Sequence, residues 1–178
     1  MQAWTTPAQV IVIRHGEKPK DDEAPGLSTK GLERSGALVY FFQNESLVLD
    51  FGTPAAIYAF KEGKHSNRGV LTVAPTAQAL NLQVEAPYSA DDVRDIANLV
   101  LTDSSLEGHS VLICWAHDQI PDLVKALGGP STPSYPGDRF DLVYKLTYKS
   151  KGPDLTIGLQ KLMFDDSDKL PSGFNSHS

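Results

Sequence analysis

Two arginines and two histidines carry the chemistry available to this sequence, and each stands where an apolar run ends or a helical pattern begins. Arg14-His15-Gly16 follows Val10-Ile11-Val12-Ile13, a β-branched run that reads as a buried strand. Gly16 lets the backbone turn sharply there or approach a ligand closely. His117-Asp118 follows the β-rich run Val111 to Trp115 and precedes an apolar helical pattern at Ile120, Leu123, Val124 and Leu127. Arg68 follows the strand-like Ala56 to Phe60 and the polar stretch Lys61 to Asn67, and it opens a helical spacing through Leu71, Ala74, Ala77 and Leu80. Pro75 interrupts that spacing, so the regular helix begins at Arg68 or at Pro75, and either way Arg68 lies near a helix N-terminus. In an open α/β sheet, ligands bind at the carboxyl ends of the strands. Arginine offers a planar fork of donors suited to phosphate, and histidine is a nucleophile or proton carrier near neutral pH. The combination points to phosphoryl chemistry, although a tripeptide this short also fits an ordinary hydrogen-bonded histidine at a strand end.

The order of these features resembles that of the histidine phosphatase superfamily, the phosphoglycerate-mutase-like group, in its small phosphatase branch. The resemblance is carried by Arg14-His15-Gly16-Glu17 after the first strand and by Leu27-Ser28 with Gly31 and Arg34 at the start of the first long helix. It continues with Arg68 four residues before Thr72, and with His117 after Val111 to Ala116. It spans most of the chain. Two departures stand out. The Ser-Pro-Leu lead-in and the Thr-Ala pair of many members are replaced by Lys61 to Asn67 and by Thr72-Val73, and the glutamate stretch of the mutase-like branch is missing.

The resemblance implies a metal-independent, cofactor-free phosphomonoesterase. His15 would attack phosphorus to give a phosphohistidine that water later cleaves, and Arg14, Arg68 and His117 would surround the non-bridging oxygens. Arg14 also disfavours protonation of its neighbour His15, since like charges lower a histidine pKa. For the proton donor, Asp118 matches the His-Asp pair of the acid-phosphatase branch and Glu85 is the second choice; Asp118 reads equally well as an N-cap. The alternatives are a phosphomutase using the same phosphohistidine and a catalytically silent phosphate-binding or scaffold protein. The substrate is expected to be a small phosphomonoester or a phosphoprotein, with sugar phosphates, phosphohistidine proteins and nucleotides all open.

Glu17, Lys18, Lys64 and His65 are candidate substrate-binding residues. Glu17 has the alternatives of orienting Arg14 or accepting hydrogen bonds from its loop, and Lys18, Lys61, Lys64 and His65 those of a basic rim or a solvated surface. The acidic runs Asp21-Asp22-Glu23 and Asp165-Asp166-Ser167-Asp168 lack the alternating spacing of a calcium loop and read as solvated surface. The histidines lack paired metal spacing. A net charge of −6 argues against nucleic acid or an anionic membrane as partner. The single cysteine, Cys114, sits in the most apolar strand and reads as a buried thiol, which fits a reducing compartment. Neither a signal peptide nor a membrane span is visible, so the expected location is cytoplasmic. Oligomeric state is not readable.

These residues require a scaffold. With 178 residues, 40% of them hydrophobic, the chain suits a single domain, expected over residues 1–164 with a polar, mobile tail at 165–178. Strands at about 8–14, 56–60, 82–86 and 110–115 alternate with helices, which predicts a three-layer α/β/α sandwich on a mostly parallel sheet. Ser28 caps the first helix, Ser89 with Asp92 forms a capping box before the third, and Gly128-Gly129 stops the helix over 120–127. Runs at 140–148 and 155–163, with Gly152-Pro153 at the turn, predict a C-terminal antiparallel hairpin.

Overall fold

The computed structural model describes residues 6–21, 24–63 and 67–175. The candidate rim residues Lys64 and His65 therefore lie outside the described residues.

Six strands of the described residues form one sheet in the order β3-β2-β4-β1-β5-β6. They are β1 (Gln9–Arg14), β2 (Ala56–Ala59), β3 (Val84–Glu85), β4 (Ser110–Trp115), β5 (Leu142–Lys149) and β6 (Gly152–Leu159). β1 to β4 pair in parallel, and the β5-β6 hairpin joins antiparallel alongside β1. Among the described residues, four α-helices complete the layers: α1 (Thr29–Asn44), α2 (Arg68–Ala79), α3 (Val93–Thr102) and α4 (Ile120–Ala126).

The alternation of a strand, with successive side chains on opposite faces, explains the double-sided burial. Ile11, Ile13, Ile57, Ala59, Leu112 and Cys114 face Leu38, Phe41 and Phe42 of α1 and Val73 and Ala77 of α2. Val10, Val12, Tyr58, Val111, Ile113 and Trp115 face Ile96, Ala97 and Val100 of α3 and Leu123 and Val124 of α4. Each β-branched run is thus consumed by two cores at once, and the expected three-layer sandwich is the architecture observed. No helix among the described residues is long and apolar enough to cross a membrane.

One open alternative is resolved and three local expectations are corrected. α2 begins at Arg68 and runs through Pro75. Its residues Val73 and Ala77 are buried against the sheet, and that packing outweighs the hydrogen bond the proline cannot donate. The hairpin turns at Ser150-Lys151, and Gly152-Pro153 open β6 rather than form the turn. An edge strand has room for a proline without an N–H, and Gly152 takes φ +105°. The N-cap of α3 is Asp92, whose carboxylate reaches back to the Ser89 N–H, so only half of the expected box forms. Finally, residues beyond 164 dock onto the body: Leu170 and Phe174 pack against the α3/α4 core, and the Asp166 side chain is 5% exposed. Two apolar residues and one buried ion pair extend the packed unit past the boundary expected at 164.

Candidate active site

The register of the two central strands brings the histidines together. Arg14, the last residue of β1, lies level with Trp115, the last of β4. The chain segments His15-Gly16 and Ala116-His117 therefore leave the sheet side by side, and the His15 N–H donates to the Trp115 carbonyl at 3.3 Å. His117 and Asp118 follow in a short 3-10 turn leading into α4. Arg68 enters from β2 as the first residue of α2.

The His15 imidazole is buried between two aromatic rings, with centroids 6.0 Å from Phe60 and 6.2 Å from Phe140. Its Nδ1 lies 2.8 Å from the Gly16 carbonyl oxygen. A carbonyl only accepts, so Nδ1 carries the proton and Nε2 keeps its lone pair. Burial pulls the pKa down to about 4, reinforced by the charges of Arg14, Arg68 and His117 and opposed by the Gly16 bond. Desolvation and like charge thus both favour the neutral ring at pH 7.

Arg14 is held by a loop far away in sequence. Its Nη1 donates to the carbonyls of Gly137 (2.9 Å) and Arg139 (2.6 Å), and its guanidinium carbon sits 3.8 Å from the centre of the Phe140 ring. Burial lowers its pKa to about 10, so it remains a cation at neutral pH. Tyr135 of the same loop stands 6.2 Å from the His117 ring. Burial, followed by the charge of Arg14, lowers the pKa of His117, while Asp118 acts in the opposite sense and Lys18 adds to the depression. Asp118 itself is exposed.

Arg68 donates from Nε to the Gly26 carbonyl (2.9 Å) and from Nη2 to that of Ala24 (3.0 Å). The first turn of its helix is secured by Glu62, whose Oε1 accepts from the Gly69 N–H; burial raises the Glu62 pKa. Thr72 ties the loop after β1 to the first turn of α2. Its hydroxyl accepts from the Gly16 N–H at 2.8 Å and donates to the Arg68 carbonyl at 2.7 Å.

Glu17 faces Arg34 rather than Arg14. Arg34 is 1% exposed and all five of its N–H donors are engaged. Nε and Nη2 bind the two oxygens of Glu17, Nη1 and Nη2 bind Asp166, and Nη1 also binds Gln160 Oε1, at 2.7–2.9 Å. Burial opposes the Arg34 charge, but the hydrogen bonds to the two carboxylates outweigh it and raise its pKa. This overturns the reading of Asp166 as solvated surface.

The structure thus gathers Arg14, His15, Arg68 and His117, with Asp118 and Lys18 near enough for their charges to act on His117. Glu85 is not gathered. It is exposed on the edge strand β3, with β2 and β4 between it and β1. It hydrogen-bonds the Tyr58 hydroxyl, whose pKa burial pushes up to about 12. Phe140, Tyr135, Glu62 and the Arg34–Asp166 pair were not identified from sequence as parts of the site. Among the described residues, no group of three or more His, Cys, Asp or Glu side chains is placed to hold a metal ion. A concavity of about 930 Å3 along the hairpin and Gly128–Pro130 shares no residue with this cluster.

No protein-family model matches the sequence, and no curated protein is significantly similar to it. Solved structures are similar in fold. The protein histidine phosphatase SixA, in complex with tungstate, has a TM-score of 0.59 at 19% identity, over 84% of this chain and 94% of that one. A phosphoserine phosphatase mutant from Entamoeba histolytica in complex with phosphoserine has a TM-score of 0.57 at 12% identity, over 86% and 97% of the two chains. A mycobacterial glucosyl-3-phosphoglycerate phosphatase has a TM-score of 0.52 at 11% identity, over 88% and 99%. The chain therefore has the fold of the histidine phosphatases.

Proposed function

We propose that this chain is a phosphomonoesterase that works through a phosphohistidine on His15 and needs no metal ion. The observation that carries the reading is the state of His15: a neutral imidazole whose Nδ1 proton is committed to the Gly16 carbonyl, beside the charges of Arg14 and Arg68. Nε2 is then an unprotonated nucleophile, the form that attacks phosphorus.

In the first step Nε2 forms a bond to phosphorus while the ester P–O bond breaks, and the leaving alkoxide takes a proton from Asp118. In the second, water attacks phosphorus and gives its proton to the Asp118 carboxylate. The N–P bond breaks and its electron pair returns to Nε2. Arg14 and Arg68 are fixed by backbone carbonyls before any substrate arrives. Donors already in place stabilise charge in the transition state without reorganising, and that is where most of the acceleration of phosphoryl transfer comes from. Asp118 is favoured over Glu85 because it shares the 3-10 turn of His117, whereas Glu85 is two strands removed. The similar structures include a protein histidine phosphatase, a phosphoserine phosphatase in complex with phosphoserine and a glucosyl-3-phosphoglycerate phosphatase, and a phosphoamino acid or another small phosphomonoester is the substrate class we infer for this one.

The test is a radiolabelled aryl phosphate mixed with wild type and His15→Ala. The wild type should carry a label that survives base and is lost in acid, as a phosphohistidine is, and should turn over in the presence of EDTA. His15→Ala should carry no label and release no phosphate while remaining folded. Full activity in the mutant would end the proposal, and loss of wild-type activity to EDTA with recovery on adding a divalent ion would end its metal-free form.

A further inference from the structure

We propose that Asp166, in the segment after the last strand, is a positioning residue for His15, acting through Arg34 and Glu17; the proposal rests on the reading of His15 as the nucleophile.

The path is continuous. The Gly16 carbonyl that holds the His15 Nδ1 proton and the Glu17 N–H are two ends of one rigid peptide plane, so whatever fixes Glu17 fixes that carbonyl. Glu17 is pinned on two sides. Its own carbonyl accepts from the Ser28 N–H at 2.9 Å, and its carboxylate is gripped at both oxygens by Arg34. Its backbone also lies hard against α1: a methyl carbon on Gly31 would stand 2.5 Å from the Glu17 carbonyl oxygen.

Arg34 can hold Glu17 in this way only while its other edge is occupied. Asp166 fills that edge, and it comes preset, because its Oδ2 also accepts the Leu162 and Met163 N–H groups at 3.0 and 3.1 Å. A planar guanidinium braced by carboxylates on two edges has one orientation. Without Asp166, donors on both terminal nitrogens of Arg34 would be buried and unmatched, a cost the side chain can relieve only by turning and releasing Glu17. The neighbouring Asp165 reaches Glu17 only through the partly exposed Lys30, whose Nζ lies 2.6 Å from Asp165 and 3.8 Å from the Glu17 carboxylate, an interaction of the weak surface kind.

The experiment reads His15 directly, by 15N chemical shifts of its imidazole in the full chain at pH 7, alongside kcat and KM for an aryl phosphate. The wild type should show the Nδ1–H tautomer alone. Asp166→Ala should show a mixture of tautomers and a kcat lower by about tenfold or more with little change in KM, the scale expected for a small misplacement of a reacting group. Asp166→Asn, which keeps the shape and covers the case in which the alanine variant does not fold, should shift both readouts the same way. Asp166→Glu, which retains the carboxylate, should recover more than Asp166→Asn, and Asp165→Asn should match the wild type. A wild-type tautomer and wild-type kcat in a folded Asp166→Ala or Asp166→Asn protein would overturn the proposal. A tautomer shift in a protein whose wild type forms no phosphohistidine would instead uphold the positioning and remove the phosphatase reading.

Discussion

Acidification from pH 7 to 5 should destabilise the protein through His15 by about 2 kcal/mol. The ordinary histidine value of 6.5 applies to the unfolded chain, whereas the folded chain holds His15 at about 4. Between those two values the unfolded chain binds a proton that the folded chain refuses, so stability falls as pH falls. The contribution is whole above 6.5, falls by about 3 kcal/mol across the window, and has levelled off below 4. Other groups titrate as well. His117 is also depressed and adds to the slope just below 6.5. Glu62 is raised, so its contribution runs the opposite way above 4.5, and Asp166 is lowered below 3.8 and acts outside the window. All of these are shared by wild type and His15→Ala, so the difference between the two proteins isolates His15. Urea unfolding of both at pH 7 and pH 5 measures it: the wild type should lose about 2 kcal/mol more than the mutant. Equal losses would show that the folded protein does not hold the imidazole neutral, and the account of His15 as a ready nucleophile would fall with it.

Replacing Arg68 by alanine should lower kcat by about 10²-fold or more, as loss of a transition-state donor does, and a change in KM alone would assign it to ground-state binding instead. Asp118→Asn should slow alkyl phosphates far more than nitrophenyl phosphate, because only a poor leaving group needs the proton in the transition state; equal rates on both would remove Asp118 from the mechanism. Gly31→Ala should destabilise the protein by about 1–3 kcal/mol in a thermal melt, since the added carbon meets the backbone of Glu17 rather than a side chain that can move aside; an unchanged melting temperature would refute the contact.

The gathering of Arg14, His15, Arg68 and His117 was legible because each follows a strand or opens a helix, and short apolar runs bounded by polar residues mark strand ends well. The two faces of the sheet were legible for the same reason. Pairings across long separations were not. Arg34 and Asp166 are 132 positions apart, and no periodicity links them; in an acidic run, a carboxylate bound for the interior looks like its solvated neighbours. Leu170 and Phe174 were passed over because two apolar residues in a polar stretch form no pattern, although each finds the core. Gly152-Pro153 misled because the same dipeptide serves a turn or the start of an edge strand, and only the pairing partners of Lys149 decide which.

The placement of β1 has a kinetic side. It occupies the middle of the sheet, yet its neighbours arrive late: residue 9 pairs with residue 110 on one flank and with residue 147 on the other. During synthesis this buried, apolar strand leaves the ribosome with about a hundred residues still to come before either flank can be covered. Loops of that span must close before any pairing rewards them, which makes folding slow and leaves an aggregation-prone segment exposed in the meantime. Arg14 is clamped by carbonyls 123 and 125 residues downstream, so a nascent chain shorter than that leaves its guanidinium without this clamp. On the proposed function, chemistry at His15 would therefore wait for the segment that carries Gly137 and Arg139, and a chain stalled before residue 137 would be inert as well as incomplete.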